Sequence, residues 1–386
     1  MRTSFRPEFL VPRGRRARTS FVALVAFASA CAGATPNPVP TPRPATGLPS
    51  QPPVTPPMVE TTWPIRTKEH VDLWLHSYAL LNADTTFVPY FRRGYRERMN
   101  TVRRQRGVTT LIDSNRGKLL DRILNQPSLA TNGQFLPLYF SSWEQMKQVI
   151  DLFVRNNGNP GNSTDPNVRS YFGLLGASFQ NVGDREWLRL LTESIDDESR
   201  RFYHDYWTGE SRSHAAVVGR ADSLWQRQWR PSLQRFLNNT QQQNGELYLS
   251  LPLGGEGRTV HFGKADNAVA GPMPDSNGEA EMVLYVMAHE ITGAVASAAI
   301  DDNTTPADQR AGVTSRYEQV AAVRAGAMLL ERTIPSAVPG YMRFYLQTTG
   351  RTPPTDPKAM FASTFALPDS IRDALVRQFD VILGGI

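Results

Sequence analysis

Apolar positions recur at three- and four-residue intervals through most of residues 65–240, the period of helices that bury one face. Residues 70–76 open an amphipathic helix. Further helices are expected near 88–104, 111–124, 142–155, 166–179 and 185–207, and over 214–236 with a bend at Pro231. The pattern then changes. Residues 246–252 alternate apolar and polar, Gly254, Gly255 and Gly257 follow, and residues 258–263 read as a return strand, which together predict a β-hairpin. Asp275 or Ser276 is placed to cap what comes next. From Met282 to Ile300 only His289, Glu290, Thr292 and Ser297 are clearly polar, so this helix is expected to be buried all round. A second helix over 306–331 and two or three shorter tail helices, one of them near 371–383, complete the series. The fold class is therefore mainly α (α+β), with a helical region over 63–240 and a region over 241–386 that carries the small β element. The two are compatible with one continuous domain.

Cys31 is the single cysteine, so no disulfide can form within the chain. It follows a leader with six arginines, a short apolar run over 21–27 and the small residues Ala28, Ser29 and Ala30. A basic segment, an apolar segment and small residues at a cut site describe a secretory signal, and the apolar run is far below the roughly 20 residues of a membrane span. The stretch Ala28-Ser29-Ala30-Cys31 resembles the bacterial lipobox, with Ala28 where that pattern usually has Leu. The resemblance implies residues 1–30 as a signal peptide and Cys31 as a lipidation site anchoring the mature protein to a membrane of the cell envelope. Ala32 in place of Asp leans toward the outer membrane where one exists. The leader also accounts for most of the net charge of +6, leaving the rest close to neutral, so the basic pI does not point to nucleic acid. Ten prolines between residues 36 and 57 make 31–62 a semi-rigid tether rather than a folded unit.

Candidate chemistry centres on His289-Glu290, since a charged pair on a buried helix needs a partner or a task. Other signals are weaker. His70 and His76 stand six apart and do not share a helical face, and His204 and His214 read as surface or packing residues. No Gly-x-Ser-x-Gly elbow occurs, and Gly254, Gly255 and Gly257 do not open a helix with a lysine, as a phosphate loop would. The arginine-rich stretch 92–106 reads as a solvated helix face.

The order hairpin, helix with His289-Glu290, second helix resembles the zincin metallopeptidases, in which a hairpin edge strand holds extended substrate and the helix carries His-Glu-x-x-His. In the gluzincin branch a glutamate on the second helix is the third ligand, and here Glu318 stands 29 residues after His289. The resemblance covers about residues 245–332. It implies zinc as cofactor, His289 and Glu318 as metal ligands and Glu290 as catalytic general base. The second histidine is replaced by Gly293. Gly293 is also a poor helix former and is read as a point of close approach by another group. His261, Asp301 and Asp302 are accessory ligand candidates. Three readings follow: a zincin-like region that is degenerate and inactive, its His-Glu pair held by hydrogen bonds or by Arg310, Arg316 or Arg324; an active envelope zinc metallohydrolase with a non-standard third ligand; and a non-catalytic binding or scaffold lipoprotein for a peptide or envelope protein.

Overall fold

Local sequence explains where several helices begin. The computed structural model describes residues 63–82, 86–126, 129, 133–262 and 266–384; the leader, Cys31 and the proline-rich tether lie outside them. In chain order the helices are α1 (Glu69–Leu81), α2 (Tyr95–Gln105), α3 (Leu111–Asn125), α4 (Trp143–Arg155), α5 (Pro166–Ser178), α6 (Val182–Glu198), α7 (His204–Ser213), α8 (Ala215–Leu224) and α9 (Arg230–Asn239). After the sheet come α10 (Met282–Ile291), α11 (Gly293–Asp301), α12 (Pro306–Arg310), α13 (Val313–Thr333), α14 (Val338–Thr348), α15 (Lys358–Thr364) and α16 (Asp369–Gly384). Ser142 accepts from the Gln145 N–H, starting α4, and Asp165 accepts from the Asn167 N–H with Pro166 at the first helical position, starting α5. Asn181 and Asp184 form a reciprocal capping box at the start of α6. Just before Pro231, where a bend is expected, the helix widens into a π turn over Trp225–Trp229. Such a turn absorbs the hydrogen bond that proline cannot donate.

The sheet has four strands, β1 (Ile65–Arg66), β2 (Asn244–Ser250), β3 (Arg258–Phe262) and β4 (Asp266–Pro272), in the order β1-β2-β4-β3. β1, β2 and β4 run parallel, and β3 is an antiparallel edge strand. The expected hairpin between residues 246–252 and 258–263 is therefore corrected: both strands exist, but β2 pairs with β4 and the hairpin is β3–β4. The cause is the loop between β2 and β3. Gly254 N–H donates to the Tyr90 carbonyl at 2.7 Å, and the N–H groups of Gly255 and Glu256 donate to the Pro89 carbonyl at 3.0 and 2.9 Å. With the chain tied to residues 89–91, it does not turn straight back on β2.

The described residues from Trp63 onward belong to one compact unit, and the aromatic residues Trp63, Trp74, Trp225 and Trp229 are fully buried within it. α1 departs from expectation. It is buried around its whole circumference, between α2, α3, α6 and a 3₁₀ turn at Leu136–Tyr139, instead of showing a solvent face. Its polar residues are accordingly partnered. Asp72 accepts from the Trp207 indole at 2.8 Å and the Leu251 N–H at 3.1 Å. Burial pushes the Asp72 carboxyl up to about 7, against the pull of the hydrogen bonds from Trp207 and Leu251 and the charge of Arg92. His76 meets Glu198 at 3.1 Å and the Tyr95 hydroxyl at 2.9 Å. Arg103 completes this group, 3.1 Å from Glu198 and 2.6 Å from Asp113. The reading of 92–106 as a solvated face is thus corrected at Arg103, which is buried, and at Arg92, which pairs with Asp275. Helix periodicity cannot reveal these partners, because they lie far away in sequence.

The stretch Asn277–Asp301 is long and apolar enough to cross a membrane, but 72% of its apolar window is buried inside the protein. α10 packs on β3 and β4, on α13 and on α14. Val283, Leu284, Val286 and Met287 are fully buried there, each contributing roughly 1.5–3 kcal/mol of apolar burial.

Candidate functional site

The helix expected to run unbroken from 282 to 300 is interrupted at Thr292, between α10 and α11. The Thr292 hydroxyl donates to the carbonyls of Ala288 and His289 at 3.0 and 2.9 Å, a local bond that competes with the helical ladder. The interruption leaves the Ile291 carbonyl to accept from the Gln242 side-chain amide at 3.0 Å. The same amide also donates to the Thr240 hydroxyl at 2.9 Å, which orients the side chain.

A cavity of about 670 Å³ opens between α10, α11, α13 and edge strand β3. His289, Glu290 and Gly293 line it from the broken helix, His261 and Thr259 from β3, and Glu318 from α13. The structure therefore brings together four of the six metal and catalytic candidates, namely His289, Glu290, Glu318 and His261. Asp301 and Asp302 are exposed and lie outside the cavity lining. They do not serve as accessory ligands there, because the rest of α11 carries them away from His289.

Glu290 is a clamp between helix and sheet. Its carboxylate accepts from the Gly257 N–H and the Thr259 hydroxyl, each at 3.2 Å, and from His289 Nδ1 at 3.0 Å. Its partners are therefore β3, the loop just before it and its own neighbour, not Arg310 or Arg324; Arg324 stands over the Phe361 ring instead. The approach needs Gly257: a Cβ there would collide with the Ala270 carbonyl and press on the Glu290 side chain. With Nδ1 bonded to a carboxylate, only the second ring nitrogen of His289 is left for another partner. That Nε2 is buried and has no hydrogen-bond partner. Burial draws the imidazole pKa down, but the bond to Glu290 and the charges of Glu290 and Glu256 outweigh it and hold the pKa above its ordinary value. Tyr345 stacks on the ring at 5.5 Å between centroids.

Gly293 is not a point of close approach, contrary to expectation. A Cβ built there meets nothing within 4 Å, so the position faces open space. His261 Nδ1 is engaged by the Asn267 side chain, and Glu318 is solvent-exposed. Among the described residues no group of three or more His, Cys, Asp or Glu side chains is gathered closely enough to hold a metal ion. Catalytic zinc needs three protein ligands. His289 Nε2 would suit one of them, but Gly293 offers no donor and Glu290 is committed to three hydrogen bonds. Among the described residues, the side chains of this cavity do not make up a zinc donor set.

Several cavity residues escaped the sequence reading: Gln242, Glu256, Thr259 and Tyr90. Thr259 and Gly257 sit within the strand and loop already singled out, so the edge position carried a signal. Gln242 carried none, since it lies in the polar turn after α9 and reaches the cavity only through the break at Thr292. No family model matches this chain, and neither a curated protein nor a solved structure does.

Proposed function

We propose that this chain is an exported lipoprotein, anchored through Cys31 and the proline-rich tether, whose zincin-like region binds an extended peptide or a segment of an envelope protein without cutting it. The observation that carries the non-catalytic part is the state of Glu290. A general base must be free to take a proton from water, whereas this carboxylate is bonded to Thr259 of β3, to Gly257 just before it and to His289. What supports binding is the exposed edge of β3 beside the cavity. An unpaired strand edge offers N–H and C=O groups to an added strand, with neighbouring pockets for its side chains. The anchor rests on the lipobox-like residues before Cys31, and two or more acyl chains on one cysteine would give stable membrane attachment.

The test uses the full-length chain purified without chelator. Blocked extended peptides are titrated by calorimetry, the mixtures are inspected by mass spectrometry for cleavage, and zinc per chain is measured by elemental analysis. Binding without cleavage and zinc far below stoichiometric are expected. Near-stoichiometric zinc that disappears in His289→Ala, with cleavage that disappears in Glu290→Gln, would overturn this reading in favour of an active envelope metallohydrolase. Incorporation of labelled fatty acid, lost in Cys31→Ser, tests the anchor separately.

A further inference from the structure

α2 and the turn after it present arginine without matching acid. From Arg93 to Arg106 the chain has six arginines, no lysine and one carboxylate, that of Glu97. Glu97 pairs with Arg96 at 3.3 Å, and buried Arg103 pairs with Asp113 and Glu198. Arg93, Arg98, Arg104 and Arg106 are exposed, and among the described residues none of the four has a carboxylate within ion-pair distance. Arg93 is engaged by the Thr348 carbonyl, so Arg98, Arg104 and Arg106 are the charges left open to a partner. Like charges gathered on one face repel one another, and an anionic partner relieves this.

Two of these guanidiniums are already held in place. Arg98 lies over the Tyr95 ring at 5.5 Å and Arg106 over the Phe202 ring at 5.4 Å, and both rings are buried. A guanidinium resting on an aromatic ring keeps its N–H fork, which matches two phosphate oxygens, and has less rotamer freedom to lose on binding. Leu111, the first residue of α3, borders the same face and is 42% exposed. Its N–H and the Arg201 guanidinium share the Asp197 carboxylate, and Arg201 adjoins Phe202 in the chain. Arginine beside an exposed leucine matches a membrane surface, where phosphate meets the charge and the acyl boundary takes the apolar side chain.

We propose that α2, with Arg106 and Leu111, docks on anionic phospholipid headgroups, Arg98, Arg104 and Arg106 meeting the phosphates and Leu111 entering the boundary between headgroups and acyl chains. The inference takes from the proposed function only that the chain works at a membrane, and it leaves the β3 groove to its own ligand. A lipid anchor on the same chain makes this second contact intramolecular, so a surface of a few charges suffices.

The experiment is cosedimentation of the full-length chain with vesicles of phosphatidylcholine, alone or mixed with phosphatidylglycerol. Cys31→Ser is carried throughout, so that no acyl chain contributes, and the leader is the same in every variant. The chain is expected to prefer the anionic vesicles, with binding that weakens as salt rises. Arg98→Gln, Arg104→Gln and Arg106→Gln together should weaken binding to anionic vesicles by about five-fold for each arginine. Arg155→Gln, Arg189→Gln and Arg372→Gln together remove the same charge from α4, α6 and α16 and should change it by about two-fold at most, because charges distant from the contact are screened. Arg98→Lys, Arg104→Lys and Arg106→Lys together keep the charge and should retain most of the binding. Equal losses in the two glutamine sets would mean a response to net charge alone and overturn the proposal, as would a lysine set that binds as weakly as the first glutamine set. A loss in the first glutamine set that appears with soluble polyphosphate but not with anionic vesicles would overturn lipid as the partner. Uptake of labelled fatty acid at Cys31 is read separately, so failure of the anchor and failure of this surface are told apart.

Discussion

His289 Nδ1 lies 3.0 Å from Oε1 of Glu290, its immediate neighbour in the chain. Adjacent residues on a helix point about 100° apart, so a contact of this kind requires Glu290 to be drawn round by something else. The Thr259 hydroxyl does this from β3 and the Gly257 N–H from the loop just before it. The pair thus ties α10 to the strand that walls the cavity, and the imidazole is fixed with its other nitrogen toward the interior. In a metallohydrolase the histidine would hold metal and the glutamate would activate water. Here the two side chains hold each other.

Replacing Glu290 with Gln keeps the shape but replaces one acceptor oxygen with a donor nitrogen. At least one of Gly257 N–H, Thr259 hydroxyl and His289 Nδ1–H then loses its acceptor at a site that is 8% exposed. A loss of about 1–3 kcal/mol is expected, read as a lowered midpoint in urea unfolding. An unchanged midpoint would mean that the carboxylate is not the clamp described.

Two glycines of the same cavity should respond in opposite directions to alanine. Gly257→Ala forces a Cβ into the Ala270 carbonyl, which is backbone and cannot swing aside. It should displace β3 and cost about 1–3 kcal/mol, as overpacking does. Gly293→Ala adds a methyl into open space at the start of α11 and should stabilise by about 0.5–1 kcal/mol through the helix preference of alanine. Thermal melts of both variants decide the matter, and a destabilised Gly293→Ala would contradict the open geometry.

The contrast also shows what sequence could and could not yield. The apolar run from Met282, the edge strand over 258–262 and the glutamate on the following helix were all legible, because each rests on local periodicity or spacing. That β2 pairs with β4 was not legible, since it depends on residues 89–91 capturing the loop at Gly254–Glu256 from more than 160 positions away. The same limit hid Gln242. Its place in the cavity depends on the Thr292 hydroxyl competing for helix carbonyls, a choice that polarity patterns do not encode.

The buried group around Glu198 should behave as an ion cluster that is costly to break. His76 and Glu198 are fully buried and Arg103 nearly so. Removing only the cation, by Arg103→Met, leaves the Glu198 carboxylate with His76 and Thr110 and is expected to cost about 3–5 kcal/mol. Burial works to raise the Glu198 pKa, but bonds from His76 and Thr110 and the charge of Arg103 hold it below its ordinary value. This contribution is therefore present above the unfolded pKa and disappears as pH falls through the folded one. Urea midpoints of wild type and Arg103→Met should converge on strong acidification; parallel curves would show that the pair contributes no pH-dependent stability.

Asp72 carries the reverse dependence. Its carboxyl is raised from 3.8 to about 7, chiefly by burial, so the folded protein holds the proton more tightly than the unfolded chain. Between those values the native state binds more protons, and stability falls as pH rises. The penalty is absent below about pH 4, grows through the interval and is complete above about pH 7, where it amounts to roughly 4 kcal/mol. Asp72→Asn has no proton to lose. Its oxygen can still accept from Trp207 or Leu251, though not from both as well as a carboxylate does. The variant should therefore be the less stable protein at pH 4 and should gain on wild type steadily toward pH 8. Unfolding free energies at pH 4, 6 and 8 test this through the difference between the two proteins, which cancels the titration of every other group. A difference that does not change with pH would place the Asp72 carboxyl back at its ordinary value and remove the helix interior of α1 as a source of pH dependence.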